Sequence, residues 1–217
     1  MKTHSLEGAR YAHAMGNLLV LYTQVDQFIM EACAERIATA PDQAAKMGLA
    51  KQVGDECRHV SIQKTWMQQF GVDQTPLIEQ QAIERLHAHF RALDWTDFLT
   101  DLYLVVEALG SQAVEQVVPL ADPGTRESLR VPLQDELDHV AFGLSELHKA
   151  LNRMDAAHRQ ARLDGIPARI QAVFAMLEEL DVPVLDWFEQ VGASSTQLHD
   201  ALGQRREELL AGLAIAA

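Results

Sequence analysis

Two copies of one five-residue pattern, D-E-x-x-H, constrain the fold of this chain more than any other feature. The first copy is Asp55–His59 and the second is Asp135–His139. On a helix, residues three positions apart share a face, so each copy presents a carboxylate and an imidazole to one point. A third Glu-x-x-His, Glu84–His87, lacks the preceding Asp, and the shorter pattern is expected by chance in a chain of this composition.

The composition favours helices. Only 7 Pro and 12 Gly interrupt 217 residues, of which 48% are hydrophobic, enough to bury a core. We therefore expect a single all-α domain over residues 1–217.

Charge and cysteine usage exclude several functions. A net charge of −13 disfavours nucleic acid and anionic membrane surfaces as partners. Cys33 and Cys57 provide no disulfide framework, the N-terminus has no apolar signal region, and no run of 18 apolar residues exists. We therefore expect a cytoplasmic protein without a membrane span.

Helix-breaking residues divide the chain into two helical hairpins, a long crossover and a tail. The expected bundle helices cover about 6–38, 43–70, 95–118 and 125–153. The crossover, 72–94, is expected to hold a helix with Pro76 near its first turn, and Pro132 to kink the fourth bundle helix or delay its start. Residues 6–153 would form the four-helix bundle. Residues 154–217 would form a C-terminal helical extension, with breaks near 164–167, 182–183 and 192–195.

Hairpin geometry predicts which lone carboxylates join the two motifs. Residues equidistant from the turn of an antiparallel hairpin lie level with each other. The midpoint between Asp26 and Glu56 is Pro41, and that between Glu107 and Glu136 falls in the second predicted turn. Glu107 also lies in an otherwise apolar run, where a buried carboxylate is costly unless it binds a cation or is protonated.

The predicted metal ligands are therefore six: Asp26, Glu56, His59, Glu107, Glu136 and His139. Four carboxylates and two imidazoles suit two divalent ions of the Fe or Mn type. A metal-bound histidine usually donates its other N–H to a carboxylate. Asp55 and Asp135 are predicted to have that role, each reaching toward the other motif's histidine.

Four further residues lie within about a turn of these ligands: Tyr22, Gln63, Tyr103 and Gly110. They have two interpretations, the lining of a substrate or oxygen pocket or ordinary core packing. Glu84 and His87 flank the apolar face of the crossover helix and are predicted to be solvated surface.

The motifs and their spacing resemble the ferritin-like superfamily of carboxylate-bridged dimetal proteins over about residues 10–153. The segment Ala50–His59 is similar to the D-E-x-x-H helix of the phenylacetyl-CoA epoxidase catalytic subunit and related di-iron oxygenases. The resemblance implies a ferritin-like four-helix bundle, two Fe ions or a Mn/Fe pair at the six ligands, and dioxygen as co-substrate. Gln63 stands where the ribonucleotide reductase small subunit carries a radical tyrosine, so no stable tyrosyl radical is expected.

The implied activity is that of an oxidoreductase, an oxygenase or oxidase acting on a small organic substrate. An external electron donor is compatible with this activity. The expected protein partner is a second copy of the chain, as a homodimer, or an oxygenase partner chain. Two alternatives stay open. One is an iron-oxidising, metal-handling or peroxide-scavenging protein, and the other is a non-catalytic partner subunit of an oxygenase.

Overall fold

The computed structural model describes residues 2–215, and this part of the chain is helical without a β-strand. The α-helices are α1 Lys2–Ile37, α2 Gln43–Phe70, α3 Gln80–Ala92, α4 Trp95–Leu99, α5 Ala108–Val117, α6 Pro123–Asn152, α7 Ala156–Glu178, α8 Val184–Val191 and α9 Ser195–Ile215. A π-helical segment, Thr100–Glu107, joins α4 to α5. None of the described helices is both long and apolar enough to span a membrane. The predicted domain limits, residues 1 and 217, lie outside the described residues.

Two antiparallel hairpins form a four-helix bundle, as predicted. The first pairs α1 with α2, and α2 begins where the Asp42 side chain accepts a hydrogen bond from the Ala45 N–H at 3.0 Å. It ends at residue 70, as predicted, and is capped by Gly71, whose φ of 65° is in the left-handed region that glycine adopts without strain. The second hairpin pairs the rod formed by α4, the π-helical segment and α5 with α6. Asp122 begins α6 by accepting from two backbone N–H groups.

Two local predictions were wrong, and a third was wrong in part. The crossover helix α3 begins at Gln80, so Pro76 precedes it. Of the two effects predicted for Pro132, a kink or a delayed start, the delay does not occur, because α6 begins at Pro123. The expected break at 164–167 is absent because α7 continues through Pro167. Packing explains this continuity, since α7 buries Ile166 and Ile170 in the main core, which offsets the hydrogen bond that proline removes.

His87 was also wrongly predicted to be solvated. It is buried, with its ring centroid 4.9 Å from that of Phe28 on α1. Its Nε2 lies 3.0 Å from the half-exposed carboxylate of Glu31. Because α3 packs on α1, residues at the edge of its apolar stripe are covered as well as those at the centre.

The three tail helices pack on the outside of the bundle. On α7, Arg169 pairs with Asp97 at 3.0 Å and with the buried Asp101, while Arg162 pairs with Asp97 at 2.7 Å. Helix α8 buries Trp187 beside the N-terminal half of α1, and α9 contacts α5. The tail therefore covers the outer faces of α1, α5 and the π-helical segment.

Candidate metal centre

All four helical elements of the bundle contribute acidic or imidazole side chains to one buried cluster. These are Asp26 of α1, Glu56 and His59 of α2, Glu107 of the π-helical segment, and Glu136 and His139 of α6. Each is at most 4% exposed. Their ligand atoms form two groups, and within each group the atoms all lie within 4.8 Å of one another. One group is Asp26, Glu56, His59 and Glu136, and the other is Glu56, Glu107, Glu136 and His139. The motif glutamates belong to both.

Glu107 reaches this place at the end of the π-helical segment. The following N–H, of Ala108, bonds to the carbonyl of Tyr103, five residues back. This wider turn changes the facing of the side chains relative to a regular α-helix, and single π turns are frequent at functional sites. Sequence periodicity assumes a period of 3.6 and did not predict the segment.

Each motif's histidine is held by the aspartate of the other motif. His59 Nε2 lies 2.9 Å from Asp135 Oδ2, and His139 Nε2 lies 3.3 Å from Asp55 Oδ2. The other ring nitrogens face the acids, since His59 Nδ1 is 3.0 Å and His139 Nδ1 is 3.2 Å from oxygens of Glu56. Each imidazole thus has one nitrogen engaged outward and one directed into the centre.

Two exposed cations join these aspartates on the surface. Arg58 Nη2 lies 3.0 Å from Asp55 and 2.5 Å from Asp135. Lys51 Nζ lies 3.1 Å from Asp138 and 3.7 Å from Asp55. The motifs alone did not predict this contribution, although Arg58 is part of the first copy. The cations balance the charge of the outer aspartates without entering the centre.

Burial and neighbouring groups shift the pKa values of the acids in opposite directions. Burial, with the charges of neighbouring glutamates, raises the pKa of Asp26 and Glu107 well above the usual range. Burial opposes ionisation of Glu56 too, but the two histidines beside it, 3.0 and 3.2 Å away, outweigh burial and lower its pKa. Burial alone would lower the pKa of His139, yet the motif glutamates, whose oxygens lie 3.2 and 3.7 Å from its Nδ1, raise it to about 10.

The donor set fits a pair of divalent cations. Both oxygens of Asp26, Oε2 of Glu107 and Oε2 of Glu136 are buried and lack a hydrogen-bond partner among the described residues. Such groups are expensive to bury unless a cation or proton compensates them. Four ionised carboxylates carry the same charge, with opposite sign, as two divalent ions. Carboxylate and imidazole ligands suit Fe and Mn.

Gln52 is a further residue at the centre that the sequence analysis did not select. It is 1% exposed and donates from Nε2 to Glu107 Oε1. Its Oε1 accepts from the hydroxyl of Tyr103 at 2.5 Å. A signal was present in the sequence, because Gln52 stands four residues before Glu56 and therefore on the same helix face.

The remaining candidate residues have different surroundings. The Tyr22 hydroxyl is 3.5 Å from Glu136 Oε1, and burial with the charge of Asp26 raises the Tyr22 pKa well above its usual value. Gln63 is fully buried, and its Oε1 has no partner among the described residues. A Cβ at Gly110 would meet no atom within 4 Å, so there is space beside this residue.

A family model described as a ferritin-like domain of actinomycetes matches residues 9–165. The chain belongs to this ferritin-like family. No curated protein matches the sequence.

Solved structures agree with the ferritin-like fold. A Synechococcus protein 19 with aldehyde deformylating oxidase activity superposes with a TM-score of 0.77 at 18% identity, covering 94% of this chain and 91% of that one. Two variants of an R2-like ligand-binding oxidase, reconstituted with a Mn/Fe cofactor aerobically and anaerobically, each give a TM-score of 0.53 at 15% identity. They cover 92% and 96% of this chain and 77% and 79% of their own. At these identities the similarity establishes the ferritin-like fold alone.

Proposed function

We propose that this ferritin-like chain is an oxygen-activating dimetal oxidoreductase, an oxidase or oxygenase that acts on a small organic substrate. The observation that carries the proposal is the pair of overlapping ligand groups, which share Glu56 and Glu136. Asp26 adds weight, because both oxygens of this fully buried carboxylate lack a partner among the described residues. The oxidase activity in the names of the similar structures supports the same class of reaction.

The protein's part is to bind the cations and exclude water from them. Asp26, Glu56, His59 and Glu136 would hold one cation, and Glu56, Glu107, Glu136 and His139 would hold the other. The two ions, either Fe/Fe or Mn/Fe, would supply the electrons that reduce dioxygen. Asp135 and Asp55 would keep each imidazole oriented with Nδ1 toward the ions.

We place the substrate on the side of the centre that holds Tyr22 and Gln63. Tyr22 offers a hydroxyl 3.5 Å from Glu136, and Gln63 offers an amide oxygen without a partner among the described residues. Gly110 has free space beside it. Tyr22 packs against an apolar cluster that is formed by Leu19, Val20, Met67 and Leu129. This lining favours a substrate that is largely apolar with few polar groups.

Metal reconstitution tests the proposal directly. Metal-free protein is loaded with Fe(II), or with Mn(II) and Fe(II), without oxygen, and its metal content is measured before its absorbance is followed on exposure to air. We expect two ions per chain, one for each ligand group, and a new near-ultraviolet or visible band after oxygen is admitted. Less than about half an equivalent of any transition metal, measured against this stoichiometry, would contradict the proposal.

A further inference from the structure

The two ligand groups differ in how their unshared carboxylate is held. Asp26 has no hydrogen-bond partner on either oxygen among the described residues. Glu107, its counterpart in the other group, accepts from Gln52 Nε2 on Oε1, while its Oε2 lacks a partner. Within the described part of the chain, a hydrogen bond therefore holds Glu107 and leaves one of its oxygens free, whereas none holds Asp26.

The direction of the Gln52 amide is itself determined. Its Oε1 accepts a hydrogen bond from the Tyr103 hydroxyl at 2.5 Å, and its NH₂ end faces the acids, whose ionised oxygens can only accept. There, Nε2 lies 3.5 Å from Glu56 Oε1 in addition to its bond with Glu107. Tyr103 is 0% exposed, and its ring packs against Gly143, where a Cβ would lie 2.0 Å from Tyr103 Cγ. These contacts therefore connect the backbone at Gly143, through Tyr103 and Gln52, to the carboxylate of Glu107.

An amide suits this position because it is neutral. It donates to Glu107 without bringing a positive charge that would repel a cation. It also has only one N–H directed at Glu107 Oε1, and the second oxygen stays available. A hydrogen-bonded ligand that is oriented before metal arrives loses less conformational entropy on binding.

We propose that Gln52, oriented by Tyr103, is a positioning residue for Glu107 and makes the two cation positions unequal. The inference rests on the proposed function, since it concerns the same centre. The position formed by Glu56, Glu107, Glu136 and His139 fills first. The position that includes Asp26 is the weaker one and exchanges its ion more readily.

Co(II) titration of the metal-free protein, followed by calorimetry and visible absorption, tests this without any substrate. Wild-type protein is expected to bind in two steps of different affinity, one for each ligand group. Gln52→Leu is expected to weaken the stronger step by about tenfold or more, which is the usual effect of losing a ligand's hydrogen-bond partner, and to change the Co(II) spectrum of that step. The weaker step is expected to stay within about twofold, since the one contact that Gln52 makes with a ligand of that position is the longer one, 3.5 Å to the shared Glu56.

Further variants assign the steps and control for stability. Tyr103→Phe keeps the ring packed against Gly143 but frees the amide to rotate, so the stronger step weakens by a smaller factor. Asp26→Asn is expected to abolish the weaker step and to preserve the stronger one. The control is Gln24→Leu, because the Gln24 amide bonds to the crossover backbone at Leu77 and Ile78 and not to the centre; both steps stay unchanged.

The possible results separate the two proposals. If wild-type protein binds neither ion, the proposed function fails. If it binds two and Gln52→Leu alters neither step, or weakens both steps equally, only the positioning role fails. If Gln52→Leu does not fold, as judged by circular dichroism, Tyr103→Phe decides, and an unchanged stronger step in that variant overturns the inference.

Discussion

Gln63 on α2 donates its side-chain N–H to the backbone carbonyl of Ser128 on α6, at 3.3 Å. Ser128 lies four residues before Pro132, and proline has no N–H with which to occupy that carbonyl. The interhelical bond thus satisfies the group that proline leaves free, in a place where both Gln63 and Ser128 are fully buried. It explains how α6 accommodates Pro132 within its span.

This relationship predicts a double-mutant cycle. Gln63→Leu should lower the free energy of unfolding by about 1–3 kcal/mol, because it leaves the Ser128 carbonyl buried without a donor. In a Pro132→Ala background, residue 132 supplies the missing N–H, and the same substitution should cost markedly less. Urea unfolding of the four proteins, all metal-free, measures the coupling. Equal costs of Gln63→Leu in both backgrounds would show that the carbonyl is not the important partner.

The contact between Gly143 and Tyr103 gives a second prediction. A Cβ at residue 143 would lie 2.0 Å from Tyr103 Cγ and 2.4 Å from its Cβ, so the ring cannot avoid it by rotating its far end. Gly143→Ala should therefore destabilise the protein by about 1–3 kcal/mol through overpacking, measured as a lower Tm. Gly165→Ala is the matched control, since a Cβ there meets nothing within 4 Å. That variant should gain up to about 1 kcal/mol because alanine favours helices, and a similar loss in both variants would argue against overpacking.

Features set by local sequence could be predicted. Asp42 and Gly71 fix the ends of α2 through bonds within a few residues. The level arrangement of Asp26 with Glu56 depends only on helical rise and on the position of the turn, and the structure does bring these two side chains into one ligand group.

Features set by tertiary packing could not be predicted from the sequence. The π-helical segment Thr100–Glu107 uses five-residue backbone bonds and contacts both α6 and α7, neither of which is visible from the segment's own residues. His87 is covered by an aromatic residue of a distant helix. The role of Gln52 depends on Tyr103, 51 positions along the chain, and only its spacing from Glu56 gave a sign of it.

The bond between Asp135 and His59 predicts a selective effect on metal affinity. Asp135→Asn keeps the size of the side chain but removes the charge that orients and polarises the imidazole, whose Nε2 lies 2.9 Å away. We expect metal affinity to fall by about 10- to 100-fold, measured by competition with a chelator. Asp138→Asn is the control, because this acid is on the same helix but its side chain is 71% exposed and pairs with Lys51. Equal affinities for the two variants would remove Asp135 from the orienting role.

Asp26 should have opposite effects on the metal-free and metal-loaded protein. Its carboxylate is fully buried and has no hydrogen-bond partner in the part of the chain that the structure describes. Burial raises its pKa well above the usual value, so the charged form destabilises the metal-free state. Asp26→Asn should therefore raise the free energy of unfolding of metal-free protein by about 1–3 kcal/mol. It should also reduce the increase in Tm that metal ions cause by binding the native state. Differential scanning calorimetry with and without Mn(II) measures both, and Glu115→Gln, an exposed change on α5, should alter neither. A metal-free Asp26→Asn protein less stable than wild type would contradict the expectation.

Asp122 predicts a pH dependence of stability. Its side chain accepts from the N–H groups of Gly124 and Thr125 at 3.0 and 3.1 Å and from the Thr125 hydroxyl at 2.6 Å. Burial opposes ionisation, but these bonds outweigh it and lower the pKa from its ordinary value of 3.8. A carboxyl whose pKa is lowered on folding stabilises the protein fully above its unfolded pKa, and this contribution is lost as the pH falls through the folded value.

Asp122→Ala should therefore cost about 0.5–2 kcal/mol at pH 7, the usual value of an N-cap, and progressively less below about pH 4. Asp122→Asn, which keeps an acceptor without the charge, should cost less at pH 7, because part of the cap remains. Urea unfolding of the three proteins between pH 7 and 3 measures these differences, and a cost of Asp122→Ala that stays constant over this range would show that the cap does not depend on the ionised carboxylate.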